Sequence, residues 1–127
     1  MKKIYLDYAA TTPVDPLVLR AMAPYWSDRF GNPGSLHSFG QEAMGAVDMA
    51  REIIAKTIGA DFREVIFTGS ATEANNLAVR GCLKNFWGDQ KFFVPKIIIS
   101  AIEHESVLET CRDLEKEGVE VVYLPVS

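Results

Sequence analysis

Val65-Ile66-Phe67-Thr68-Gly69-Ser70-Ala71-Thr72-Glu73-Ala74-Asn75-Asn76 starts as a β-branched and aromatic run, passes through small residues and enters a helical pattern. The spacing predicts a strand over 65–68 and a helix from about Thr72 to Phe86 that buries Ala74, Leu77, Ala78 and Cys82 on one face. Lys96-Ile97-Ile98-Ile99-Ser100 follows as a second strand, apolar on both sides, and strands of that kind need cover on both faces. Glu105 to Glu117 reads as a helix with Val107, Leu108, Cys111 and Leu114 inward and Glu109, Arg112, Asp113 and Lys116 outward, ended by Gly118. Val119 to Leu124 is the third strand. If the three strands are adjacent and parallel, the right-handed crossover rule makes this a βαβαβ unit with both helices on one face, and the fold class α/β.

The first third of the chain is written differently, dense in Pro, Gly and Ser. Ile4-Tyr5-Leu6-Asp7-Tyr8 is a short strand-like piece, and Asp15-Pro16 opens a helix with an acidic N-cap and Pro at its first position. Pro24 limits that helix, and Phe30-Gly31-Asn32-Pro33-Gly34-Ser35 is a loop. Ser38 and Gln41 have capping-box spacing ahead of a long helix whose apolar positions are Ala43, Val47, Ala50, Ile54 and Ile58, with Gly59 placed for a left-handed cap. The organisation expected is an amino-terminal arm with a loop and long helix over 1–60, then an α/β layer over 61–127, taken together as one structural unit.

With 127 residues and 48% hydrophobic side chains, the chain has material for one core. A net charge of -4 without a basic stripe argues against nucleic acid as a partner. No apolar run approaches a membrane span, and the start, Met1-Lys2-Lys3-Ile4-Tyr5-Leu6-Asp7, has no signal core, so neither membrane nor export is expected. Cys82 and Cys111 lack metal-ligand spacing and read as small apolar residues on helix faces, which fits a reducing compartment; the expected location is the cytoplasm.

In open α/β sheets, ligands gather beyond the carboxyl ends of the strands, here at Thr68 and Ser100. The turn after Thr68 offers free backbone N–H groups, two hydroxyls and a helix dipole to an anion such as phosphate. The alternative is that Ser70 and Glu73 form only a capping box. Neither a Rossmann fingerprint nor a Walker loop is present. The second exit, Ser100-Ala101-Ile102-Glu103-His104-Glu105-Ser106, sets one of the two histidines beside two carboxylates, either of which can orient the ring. The alternative there is a surface histidine near a helix start, and His37 in its loop is weaker still.

Taken together, Tyr5 to Pro13, Phe30-Gly31-Asn32-Pro33 through Ser35 and His37, Phe67-Thr68 with Ala71-Thr72-Glu73 and Asn76, and Glu103-His104 with Val107-Leu108 resemble four ordered motifs of cysteine desulfurases. These belong to the class V aminotransferase family of fold-type I pyridoxal-phosphate enzymes, and the chain resembles their amino-terminal stretch. The resemblance implies part of the large pyridoxal 5'-phosphate domain. It implies that the Ala71 N–H and the Thr72 N–H and hydroxyl hold the cofactor phosphate, that His104 stacks on the pyridine ring and helps move protons, and that the Asn32 loop lines the substrate entrance or a dimer partner's site. Gly69-Ser70 stands where the family often has Ser then Gly.

The resemblance further implies removal of sulfur from L-cysteine to give alanine and an enzyme persulfide, in a homodimer that serves a sulfur-acceptor scaffold protein. The family's Ser-x-His-Lys segment with the Schiff-base lysine is missing, since Lys2, Lys3, Lys56, Lys84, Lys91, Lys96 and Lys116 have other contexts. The acidic partner of the pyridine nitrogen and the mobile-loop cysteine are missing too. The expectation is a fragment inactive alone that needs a complementary carboxyl-terminal polypeptide. A sister activity such as selenocysteine lyase, or a non-catalytic chain acting structurally with a partner, remain the alternatives.

Overall fold

The computed structural model describes residues 3–87 and 94–127. Lys2 and Lys91, among the lysines named above, lie outside the described residues. Two compact units are formed, Met1–Val65 and Ile66–Ser127.

In the first unit, Asp15 caps helix α1 (Pro16–Met22) by accepting the Leu17 N–H on Oδ1 at 2.6 Å, with Pro16 at the first helical position. Pro24 ends α1 and opens the short helix α2 (Pro24–Ser27). The expected strand at Ile4 to Tyr8 does not form. The carbonyl of Asp7 instead closes a turn by accepting the N–H groups of Ala10 and Thr11, and among the described residues no strand lies beside the segment to share a ladder.

Helix α3 (Ser38–Ile58) starts one residue earlier than its capping-box spacing suggests. His37 is extended and its Nδ1 accepts the Gly40 N–H at 3.4 Å, which makes His37 the N-cap and puts Ser38 inside the helix. Gln41 consequently turns its amide to the Leu36 carbonyl. At the other end Gly59 takes the left-handed conformation, φ 70°, as its position predicts. Asp61 and Glu64 then make the reciprocal pair absent from α3: Asp61 Oδ1 accepts the Arg63 N–H, and Glu64 Oε2 accepts the Asp61 N–H.

The loop before α3 is closed backbone against backbone. A Cβ at Gly40 would stand 2.1 Å from the Ser35 carbonyl oxygen, and one at Gly31 2.3 Å from that of Phe39. Both separations are well inside van der Waals contact, so only glycine fits.

The second unit contains α4 (Ala71–Trp87), β1 (Lys96–Ser100), α5 (Glu105–Lys116) and β2 (Glu120–Leu124). The two strands pair in parallel, Lys96 opposite Glu120 through Ser100 opposite Leu124. The architecture is therefore α/β with a small parallel sheet. Val65 to Thr68, expected as a third strand, is not part of that sheet: a strand requires a neighbour for its ladder, and the described sheet ends at β1 and β2.

Helix α5 behaves as its pattern predicts. Leu108, Cys111 and Leu114 are buried, with Val119 after the Gly118 turn (φ 98°), while Glu109, Arg112, Asp113 and Lys116 face outward. Helix α4 does not. Leu77 is 47% exposed, Ala78 and Cys82 are exposed and Ala74 is only half-buried, whereas Asn75, Asn76 and Arg80 turn toward α5. Hydrophobic periodicity pointed to the wrong side because the side that docks is mixed, with half-buried Val79 and Leu83 sharing the helical face of Asn76 and Arg80. The sheet has the complementary property: Ile98 is 60% exposed while Ile97 and Ile99 are half-buried, so cover reaches one face.

Two measurements follow from this packing. Burial, and secondarily the charge of Glu115, pushes the Cys111 thiol up from its usual pKa, and the residue has no exposed surface. Native alkylation should therefore modify Cys82 alone, with Cys111 reacting only in denaturant, as mass spectrometry of the labelled chain would read. The Lys116 hydrogen bond, with the charges of Lys116 and Arg80, holds the Asp113 carboxyl below the usual range. Its contribution is then present above the ordinary aspartate value of about 3.9 and lost as pH falls through the lowered folded value. Between about pH 5 and 2 the parent chain should lose more stability than Asp113→Asn in chemical denaturation.

Candidate functional site: two helix N-termini at one end of a parallel unit

The contacts of α4 with α5 set its direction. Asn75 Nδ2 donates to Ser106 Oγ at 2.9 Å, and Thr110 Oγ1 donates to Asn76 Oδ1 at 2.8 Å. Further along, the Arg80 guanidinium pairs with Asp113 at 3.4 Å and Glu117 at 3.2 Å. Partner numbers rise together along both helices, so the helices run in the same direction, as the crossover reading expected. Their N-terminal turns, each carrying about half a positive charge, are thereby neighbours.

At the start of α4, Ser70 Oγ accepts the Glu73 N–H at 3.1 Å. The Glu73 carboxylate turns back, but to the Gly69 N–H at 2.7 Å. The Thr68 hydroxyl closes the turn on the Ser70 carbonyl at 3.0 Å. Capping thus occupies the N–H groups of Gly69 and Glu73. Ala71 and Thr72, at the first two helical positions, have no intrahelical acceptor for theirs, and both residues are exposed. Capping and anion binding are accordingly compatible here: two N–H groups and the Thr72 hydroxyl remain beside a positive dipole end. The Glu73 carboxylate at the rim opposes an anion by charge, which restricts the cradle to the Ala71–Thr72 side.

At the start of α5, the turn that follows β1 is closed by the Ser100 carbonyl, which accepts the Glu103 N–H at 3.4 Å, and by the Ala101 N–H bonded to the Leu124 carbonyl at 2.9 Å. This delivers His104 to the N-cap of α5, where its Nδ1 accepts the Ser106 N–H at 3.1 Å. The ring is otherwise exposed. Neither flanking carboxylate orients it: Glu105 is 3.9 Å from Arg112, and Glu103 makes no hydrogen bond to the imidazole. The residues that do hold the ring are Ser106 and, behind it, Asn75. A hydroxyl two positions after an N-cap histidine is the signal that could have pointed to them.

Asn32 lies in the first unit. Its Oδ1 accepts the Gly34 N–H at 2.9 Å and its carbonyl accepts the Ser35 N–H at 2.9 Å, so the side chain shapes its own loop. Among the described residues no group of His, Cys, Asp and Glu is arranged for a metal ion, and no helix is long and apolar enough to cross a membrane.

The fold's structural neighbours are NifS/IscS-type pyridoxal-phosphate enzymes of fold-type I, of whose chains this one covers a third. A NifS-like protein superposes with a TM-score of 0.87 over 98% of this chain and 33% of its own, at 38% identity. A structure described as SspA in complex with cysteine gives 0.82 over 94% of this chain and 33% of its own, at 46% identity. The model of the class-V aminotransferases matches residues 4–127, and the chain belongs to that family. Cysteine desulfurase IscS of Rickettsia massiliae (strain Mtu5) is 53% identical over 98% of this chain, and that of Rickettsia bellii (strain OSU 85-389) is 56% identical over the same share. The chain spans about a third of the length of these relatives, 30% in both cases.

The polar contact between the helices is testable by a double-mutant cycle. Asn76→Ala and Thr110→Val should each lower stability by about 1 kcal/mol. Their combination should cost less than the sum, with a coupling of at least about 0.5 kcal/mol in urea denaturation.

Proposed function

We propose that this chain supplies the phosphate cradle and a ring-facing histidine of a pyridoxal-phosphate-dependent cysteine desulfurase, which converts L-cysteine to L-alanine and leaves the sulfur as an enzyme persulfide. The observation that carries the reading is the side-by-side placement of two helix N-termini, one offering the Ala71 and Thr72 N–H groups and the other presenting His104, in a chain of the class-V aminotransferase family. The residues fit a phosphate monoester, because two N–H groups and a hydroxyl meet it at a positive dipole end. Pyridoxal phosphate, when bound, supplies the electron sink for chemistry at the substrate's α-carbon.

The chain's own residues would do three things. Ala71 and Thr72 bind the phosphate and fix one end of the cofactor. His104 lies against the ring, fixing its plane, and holds or moves a proton at Nε2. Asn32, through its loop, would line the substrate entrance or a dimer partner's site. The first unit is then the arm and the second the beginning of the cofactor-binding domain. L-cysteine as substrate is supported by the cysteine complex of SspA and by the desulfurase relatives. No lysine of residues 1–127 stands in the family's Ser-x-His-Lys setting, so the bond to the cofactor is assigned to a lysine outside this stretch. A homodimer, a sulfur-acceptor scaffold protein and a cytoplasmic setting complete the proposal.

Titrating the chain with pyridoxal phosphate should move the amide resonances of Ala71 and Thr72 saturably, and Thr72→Val should weaken binding several-fold. With pyridoxal phosphate and a thiol reductant to free the persulfide sulfur, sulfide release from L-cysteine should be undetectable with the chain alone and appear when the remaining two-thirds of an IscS relative is added as a separate polypeptide. Shifts confined to other residues would remove the cradle, and sulfide from the chain alone would remove the need for the complement.

A further inference from the structure

Ser106 stands between two functional helices and touches both. It is buried at 9% exposure, and its hydroxyl accepts from Asn75 Nδ2 at 2.9 Å while lying 2.9 Å from His104 Nδ1. Its own backbone N–H points at that same Nδ1 at 3.1 Å. A ring nitrogen that accepts an N–H carries a lone pair and no proton. Because Nδ1 carries no proton, its contact with Ser106 Oγ is made by the hydroxyl proton, while the Asn75 amide donates to one lone pair of the same oxygen. Both groups of Ser106 therefore converge on one nitrogen, and in the neutral ring the proton must be on the other.

We propose that Asn75 and Ser106 are positioning residues that lock His104 as the Nε2–H tautomer and hold its ring plane, so that Nε2 is the only ring nitrogen offered to a ligand. The inference rests on the reading of His104 as the ring that faces the cofactor. It ties the two helix starts together, because one of the residues that aim the histidine of α5 is on α4, one turn beyond the Ala71–Thr72 cradle. Thr110 braces the same corner from below, its one hydroxyl proton shared between the Ser106 carbonyl and Asn76 Oδ1, each 2.8 Å away. The chain carries its own comparison. His37 also caps a helix through Nδ1, at 3.4 Å from the Gly40 nitrogen, but among the described residues no hydroxyl backs it.

Nitrogen-15 NMR of the two imidazoles in the 127-residue chain, at a pH where the rings are neutral, tests this directly. His104 is expected as a single species, with Nδ1 unprotonated and Nε2 protonated. Ser106→Ala should raise the minor Nδ1–H population roughly two- to tenfold, the effect of losing one hydrogen bond while the backbone N–H remains. Asn75→Ala should move it in the same direction, Ser106→Thr should restore it, and His37 should not respond to any of the three. Continued protection of Cys111 from alkylation shows that each variant is folded. If Ser106→Ala loses that protection, Asn75→Ala and Ser106→Thr decide the matter.

A tautomer ratio at His104 unchanged by both Ser106→Ala and Asn75→Ala overturns the proposal, as does an Nδ1–H species in the parent chain. Adding pyridoxal phosphate separates this from the functional reading. If the variants behave as expected but the cofactor leaves the His104 resonances in place, the lock stands and the ring-facing role falls. If the cofactor shifts His104 while the tautomer ignores both variants, the ring-facing role stands and the lock falls.

Discussion

The parallel docking of α4 on α5 is the constraint from which the candidate site follows. Parallel neighbours place two like dipole ends together, an arrangement that electrostatics alone disfavours. What offsets it is specific: an amide and a hydroxyl in each of the pairs Asn75–Ser106 and Asn76–Thr110, then the Arg80 fork reaching Asp113 and Glu117 near the C-terminal end of α5. The cation at that far end also complements the negative pole of the helix. At the near end that positive potential is answered in part by Glu73 in the first turn of α4 and Glu105 in the first turn of α5.

Because the docking is partly polar, it is directional. Apolar faces slide and rotate at little cost, whereas hydrogen bonds weaken steeply with misalignment. Ser106 can serve both helices only at one register, in which its hydroxyl meets Asn75 and its backbone meets His104. The apolar contribution comes from beneath, where Leu108, Cys111, Leu114 and Val119 are buried in the second unit. Core burial thus holds the unit together, and the polar seam determines where its two helix starts stand.

Much of this was legible in the sequence, and the exceptions have a common physical origin. The α5 pattern, the Asp15–Pro16 start, the Gly59 and Gly118 stops and the parallel pairing of 96–100 with 120–124 all follow from local chemistry and period. Helix α4 departs from expectation because Leu77, Ala78 and Cys82 are exposed, while the side toward α5 mixes asparagines and Arg80 with half-buried Val79 and Leu83. The strands expected at 4–8 and 65–68 have suitable composition, but composition cannot supply a neighbour. At the site, Ala71 and Thr72 stand at the expected helix start, though no strand precedes them, and His104 follows β1 as expected. The orientation of His104 was not legible, since the adjacent carboxylates drew attention away from a hydroxyl two residues on and an amide on another helix.

The loop closed by Gly31 and Gly40 has a different kind of consequence. Its path is determined by carbonyl oxygens that press on two positions without side chains, and Leu36 between them is almost fully exposed. Mutational tolerance in this stretch is therefore sharply uneven: two sites accept a single amino acid, while exposed neighbours can change without redirecting the backbone. A loop built this way separates scaffold from surface, and selection can retune what it presents while leaving its course intact.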